Sequence, residues 1–221
     1  MLLIGLAVTV GVVALAVFAI RKVVKWIKDG NPGQGKKMYL DQQTGAPVAD
    51  IQSVLKSYSH ASTVGSRARS AMAQVTSASE KRRNLETIID GKFGRTSLTY
   101  TKFMSAVDVA YDVLVRNCTT VANRIQSFDL QDYRSLERSQ MTSKWKGSTS
   151  LASTAQIQRL DLMKANISEM DAIISSNEGL LLEMDKLSVS LMNVGQHEAE
   201  HKTTGILEEL QTLTEQARLY E

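Results

Sequence analysis

The sequence predicts an all-α protein: an N-terminal transmembrane helix followed by an antiparallel helical bundle or an elongated helical hairpin. Three observations carry this. Leu2 to Ile20 is nineteen residues without a charge, almost all Leu, Ile, Val, Ala and Phe. No proline occurs in residues 48–221, and only 5% of the chain is aromatic while 43% is hydrophobic, the composition of long helices and not of a sheet. Between residues 160 and 191, apolar side chains recur every seven residues.

The first segment, wound as a helix, is about 28 Å long, close to the hydrocarbon thickness of a bilayer. It has no polar face of the kind a soluble helix shows. Arg21, Lys22, Lys25 and Lys28 follow at once, then Lys36 and Lys37. A cleaved secretory signal carries its charge before the apolar run, and here nothing basic precedes Leu2. Ala14-Leu15-Ala16 imitates a cleavage tripeptide, which keeps a processed signal as the alternative.

Basic residues beside a span stay on the cytoplasmic side. Residues 21–37 hold six basic groups against the single acid Asp29, whereas residues 38–221 hold twenty basic and twenty-two acidic groups. The basic character is therefore a juxtamembrane collar. The expected topology is N-terminus outside and C-terminal body in the cytoplasm of a cell membrane, with residues 1–29 as the anchor. Arg21, Lys22, Lys25, Trp26 and Lys28 are the expected membrane-interface residues, with Trp26 as an interfacial anchor. The collar serves as a topology signal, or additionally gathers anionic lipid. The mildly acidic body argues against a nucleic-acid partner. Cys118 is the only cysteine, so no intrachain disulfide forms, which suits a reducing compartment.

Residues 30–47 read as a linker, from Gly30-Asn31-Pro32-Gly33 to Gly45-Ala46-Pro47. Residues 48–221 then divide into four helical segments. The first runs from Val48 to Ile89. It begins with Ile51, Leu55 and Tyr58 on one face and continues with Ala61, Ser62, Gly65, Ala68, Ala71, Ala73 and Ala78. Small residues let a partner backbone come close; the opposing reading is an exposed, weakly helical stretch. Asp90-Gly91 ends it, with Lys92-Phe93-Gly94 as a tight connection.

The second segment opens near Thr96 or Ser97. Its apolar face is Val107, Ala110, Tyr111, Leu114, Cys118, Val121, Ile125 and Phe128, at helical spacing, and it continues towards Arg138. Residues 142–154 are rich in Ser and Thr and read as a loop or a frayed end.

The third segment is the clearest. Leu160, Ile167, Ile174 and Leu181 form one row. Met163, Met170, Asn177, Met184 and Leu191 form a second. Ile173, Leu180, Leu187 and Val194 form a third. Three rows give the wide stripe of a bundle helix that packs against more than one neighbour. Asn177 either fixes register from inside the core or lies at the bundle edge. A fourth segment follows Gly195, with Ile206, Leu207, Leu210, Leu213 and Ala217 on one face.

One motif invites a chemical reading. His197-Glu198-Ala199-Glu200-His201 satisfies H-E-x-x-H, which on a helix sets His197 and His201 on one face with Glu198 as base for a zinc-bound water. The extended pattern wants Gly and His further on, where Thr204 and Leu207 stand. A third ligand would have to come from a residue such as Glu215 or Glu221. A solvated helix face is the favoured reading, and no cofactor is expected. His60 reads as surface and Cys118 as a small core hydrophobe. The methionines of the third segment read as core. Gly91 to Ser97 is a basic glycine turn, able to bind an anion or simply to connect two helices.

Three strings carry a family resemblance: Lys92-Phe93-Gly94 with Ser97-Leu98-Thr99-Tyr100-Thr101-Lys102-Phe103; Ser127-Phe128-Asp129 followed by Tyr133; and Asn177-Glu178-Gly179 continuing to Asp185-Lys186-Leu187. Over roughly residues 50–194 the chain resembles bacterial proteins of the 5-bromo-4-chloroindolyl phosphate hydrolysis family, helical and often membrane-associated. The resemblance implies phosphate-ester hydrolysis but carries over no catalytic residue. The expectation from the residues themselves is a non-enzymatic, single-pass scaffold or protein-interaction module. Its partners are the bilayer, an unidentified protein, and a second copy of itself through helix faces. Hydrolase activity, by zinc or by family resemblance, is the alternative.

Overall fold

The computed structural model describes residues 47–146, 151–193 and 199–220. Among them every regular element is helical: α1 (Val48–Tyr58), α2 (Gly65–Phe93), α3 (Leu98–Ser127), α4 (Leu130–Lys146), α5 (Leu151–Asn193) and α6 (Ala199–Ala217), with a 3-10 turn at Arg218–Tyr220. The expected apolar span, the basic collar with Arg21, Lys22, Lys25, Trp26 and Lys28, and most of the linker lie outside the described residues. Among the described residues no helix is long and apolar enough to cross a membrane.

Side-chain pairings give the helix directions. Arg67, Gln74 and Lys81 of α2 bond to Asp171, Glu178 and Asp185 of α5, so these two helices run parallel. Cys118 meets Ala71, Tyr111 meets Ser79 and Asp108 meets Arg82, so α3 is antiparallel to α2. Asn117 to Asn177, Arg124 to Glu169 and Asp132 to Arg159 set α3 and α4 antiparallel to α5. The helix α3 is central, in contact with α1, α2, α5 and α6. That explains why sixteen of its thirty residues are buried. The predicted face was therefore too narrow, since Phe103, Met104, Val113, Val115 and Ala122 are also covered.

The continuous first segment is corrected to two helices. The chain leaves α1 at Ser59 and re-enters helix at Gly65, and Gln52 of α1 reaches Thr76 of α2. Ser57 and Ser59 donate their hydroxyls to the carbonyls of Val54 and Lys56, the side-chain competition with which Ser loosens helices. Folding α1 back buries Ile51, Leu55 and Tyr58. From Val64, just before α2, through Ala68, Ala71, Val75, Ala78, Leu85 and Ile89 within it, fully buried residues follow in alternating steps of four and three, with Arg82 at the position between Ala78 and Leu85. The small residues thus permit close packing, and the weakly helical alternative fails.

Asp90-Gly91 does not stop this helix. It runs to Phe93, and Gly94 ends it at φ +73°, a conformation glycine adopts without penalty. Ser97 caps α3, its Oγ accepting from the Tyr100 amide at 3.0 Å.

The second segment also breaks. Phe128 turns extended, and the Asp129 carboxylate accepts from the amides of Gln131 and Asp132 at 3.0 and 2.9 Å. Phe128 then packs against Tyr133, ring centroids 5.5 Å apart. Together these form an N-cap with a hydrophobic staple. The loop expected at residues 142–154 is shorter than predicted, since α4 extends to Lys146 and α5 starts at Leu151.

The third segment matches its reading closely. Leu160, Met170, Ile173, Leu180, Leu181, Met184, Leu187 and Leu191 are buried, while Met163, Ile167 and Ile174 are partly buried. In α6, Leu207, Leu210 and Ala217 are buried as expected, and Thr214 joins them.

Two glycines test the packing in opposite directions. A Cβ at Gly65 would lie 2.7 Å from the Ser59 carbonyl oxygen, whereas one at Gly179 meets nothing within 4 Å. Gly65→Ala is expected to destabilise the fold by about 1–3 kcal/mol. Gly179→Ala, inside α5, is expected to stabilise it by about 0.5–1 kcal/mol. Urea unfolding of the two full-length variants checks both signs.

Candidate functional site

The α2–α5 seam is a polar ladder with a seven-residue rung spacing. Arg67 makes a two-pronged contact with Asp171, Nε to Oδ1 at 2.8 Å and Nη2 to Oδ2 at 2.6 Å. Gln74 donates to Glu178 Oε1 at 2.8 Å and to the Ile174 carbonyl at 2.9 Å. Lys81 pairs with Asp185. The acidic partners at the outer rungs are about half exposed, so those pairs contribute little individually.

The middle rung opens into a buried amide cluster. Asn177 is fully buried, which decides between its two readings in favour of the core. Its Nδ2 donates to Gln74 Oε1 at 3.1 Å and approaches Cys118 Sγ at 3.5 Å, and its Oδ1 accepts from Asn117 Nδ2 at 2.9 Å. Cys118 Sγ in turn approaches the Ala71 carbonyl at 3.6 Å. Side chains from α2, α3 and α5 meet here, and one acceptor, Asn117 Oδ1, has no partner. Burial pushes the Cys118 thiol well above its ordinary range. Its full burial suits a small core side chain.

A second polar group joins α5 to α6. Glu183 is almost fully buried, with one oxygen on Lys186 and the other unpartnered, and Lys186 also approaches Glu209 at 3.9 Å. The hydrogen bond from Lys186 to Glu183 raises the lysine pKa. On the opposite flank, Arg82 pairs with Asp108 at 2.7 Å and lies over the Tyr111 ring, 5.6 Å from its centroid. This is a charge pair reinforced by a cation–π contact.

The remaining sequence candidates fall as follows. His60 is exposed in the α1–α2 turn. His197 and Glu198 lie outside the described residues, and His201 falls in the first turn of α6. Glu215 is exposed and paired with Arg218 at 2.9 Å. Among the described residues no three His, Cys, Asp or Glu side chains gather as a metal site. Arg95 of the glycine turn is bound to Asp90 at 3.0 Å and faces Glu86 at 3.7 Å. The open depression beside it, about 490 Å3, is lined by Arg83, Glu86, Thr87, Asp90, Gly91 and Arg95, a mixed-charge surface rather than an anion cradle.

Among the exposed side chains of α5 several are apolar. Leu162, Leu182, Val189 and Met192 of α5 are more than half exposed, and Ile157 is 40% exposed. Leu182, Val189 and Met192 fall on one face at helical spacing. The sequence puts Asn177 in an apolar row with both core and edge open, and singles out none of Gln74, Asn117 and Glu183. The matched spacing of Arg67, Gln74 and Lys81 with Asp171, Glu178 and Asp185 was the available signal. The chain matches no protein-family model, and no curated protein or solved structure is significantly similar to it.

Two outcomes are expected. Asn177→Ala strands Gln74 Oε1 and Asn117 Nδ2 in the core and costs about 2–4 kcal/mol. Arg67→Ala, on an outer rung, costs about 1 kcal/mol or less; urea midpoints of the two variants give the comparison. The thiol supplies a pH test. Its folded pKa is raised, so its contribution is complete below an unfolded-thiol pKa of about 8.5 and is lost as pH rises beyond it. Above that pH, wild-type stability should fall more steeply than that of Cys118→Ala, by up to about 1.4 kcal/mol per pH unit.

Proposed function

We propose that this chain is a single-pass membrane-anchored scaffold whose helical body lies on the cytoplasmic side and binds protein partners through exposed helix faces. The uncharged run Leu2 to Ile20 and the basic collar after it support the anchor and its orientation. The observation that carries the interaction reading is α5. It is 43 residues long, its inner rows are buried, and it still presents Leu162, Leu182, Val189 and Met192 to solvent. Apolar side chains held outward on a firmly packed helix suit recognition by another helix face, whether of a partner or of a second copy. Anchoring would confine that face to the bilayer and raise its effective concentration for partners there.

In cells, the full-length protein should remain with membranes after carbonate extraction, and protease added outside intact cells should leave the body whole. Crosslinking from the body should yield adducts that disappear in the Leu182→Glu/Val189→Glu double variant while membrane retention persists. Release by carbonate refutes the anchor. Adducts that are unchanged in the double variant refute the α5 face.

A further inference from the structure

We propose that Ser62, in the turn between α1 and α2, is a phosphorylation site whose phosphate is held by the Arg134 guanidinium and ties α4 to that turn. Access to ATP rests on the cytoplasmic reading proposed above; the site itself rests on separate observations. Residues 59–64 leave helical structure between Tyr58 and Gly65, and Ser62 is exposed among them. Its hydroxyl is engaged differently from those nearby. Ser57 and Ser59 donate to the carbonyls of Val54 and Lys56, and Thr76 and Thr87 donate to those of Met72 and Arg83. Ser62 Oγ instead accepts from Nη2 of Arg134 on α4 at 2.6 Å. A phosphoryl group on that oxygen starts within reach of a guanidinium fork, the arrangement in which added phosphate orders a segment.

The charges around the turn leave that fork open. Arg67 Nη1 donates to the Thr63 carbonyl at 2.8 Å, but its other nitrogens hold Asp171, so Arg67 is neutralised. Arg69 donates to the Ser59 carbonyl. The acids beside Arg134 are occupied elsewhere. Asp129 accepts from the amides of Gln131 and Asp132, Asp132 pairs with Arg159, and Glu137 is approached by the Tyr133 hydroxyl at 3.5 Å. Among the described residues Arg69 and Arg134 form no ion pair. The first turn of α2 holds no acidic side chain and no side-chain cap. A dianion two residues before its cap position Val64 therefore also meets the uncompensated positive end of that helix. The step is group transfer by an ATP-dependent serine kinase. Ser62 Oγ bonds to the γ-phosphorus, the bond from that phosphorus to the bridging oxygen breaks, ADP leaves with the electron pair, and the hydroxyl proton passes to a base of the kinase.

The full-length protein isolated from its own cells, denatured and cut with trypsin, tests the site, because cleavage after Lys56 and Arg67 frees residues 57–67. That peptide should carry one phosphoryl group, placed on Ser62 by fragmentation, removed by phosphatase and absent from Ser62→Ala. No phosphorylated peptide, or phosphate on Ser57, Ser59, Thr63 or Ser66 alone, overturns the site. In the purified full-length chain made with phosphoserine at position 62, hydrogen exchange in residues 59–66 and 130–136 should slow about tenfold relative to the unmodified chain. The slowing should vanish in Arg134→Gln. Equal exchange with and without the phosphate, or slowing that survives Arg134→Gln, overturns the tie to α4. Phosphorylated Ser62 on protein that carbonate releases keeps the site and removes the anchor, whereas membrane-retained protein that is never phosphorylated does the reverse.

Discussion

The fold depends on how α2 finds its register against α5. The apolar side of α2 is mostly alanine and valine at a seven-residue repeat, and such a surface looks much the same after a slip of one repeat. The ladder charges discriminate only in part. A seven-residue shift would bring Arg67 to Glu178, still an ion pair, and would set Gln74 against Asp185. What the shift destroys is the buried cluster, because Asn177 would lose Gln74 and leave its Nδ2 without that acceptor in the core. Exposed ion pairs forgive a displacement, but buried amides do not. The amide cluster therefore selects among packings that the hydrophobic effect leaves nearly equal, the role a buried asparagine has in coiled coils.

The same cluster explains why a parallel pair is possible. Parallel helices cannot be joined by a short turn, so α3 must run back between α2 and α5, and it is covered on most sides as a result. Asn117 and Cys118 are adjacent on α3 and both meet Asn177 of α5, and Cys118 also reaches the Ala71 carbonyl of α2. The contact of Sγ with a backbone carbonyl needs α2 to present alanine at that level, since a larger side chain would hold the helices apart. The small residues of α2 and the polar atoms of α3 and α5 are thus one device.

Much of this was legible in the sequence, and the misses have physical reasons. The rows of α5 and α6 were found because a long helix with a buried stripe must repeat its pattern. The face of α3 was found but underestimated, because burial on several sides erases the periodicity that a one-sided helix shows. The two unforeseen breaks were written in polar residues. Gly65 reads in the sequence only as one small residue among several, and Ser57 and Ser59 carry no visible stop signal, although the serine hydroxyls compete for backbone carbonyls and the glycine marks the approach of the Ser59 carbonyl. Ser127-Phe128-Asp129 with Tyr133 was read as a family string, yet those residues form a cap and a staple that any helix start can use. Asn177 could be placed in a core row but not given its partners, since Gln74 and Asn117 are distant in sequence and join it only once three helices have assembled.

The exposure of α5 near its start follows from its length. A helix of 43 residues measures about 64 Å, whereas α2 and α3, at 29 and 30 residues, measure about 45 Å. The start of α4 meets it through Asp132 and Arg159, and residues 154–159 are exposed throughout. Leu162 and Leu182 are twenty residues apart, about 30 Å along the axis, too far for one side-chain pocket to hold both. A partner that used both would have to lie along the helix for several turns or engage it at two points. An elongated partner, or a second α5, meets that requirement through many modest contacts. Under the proposed anchoring, such contacts would gain from confinement what they lack individually in strength.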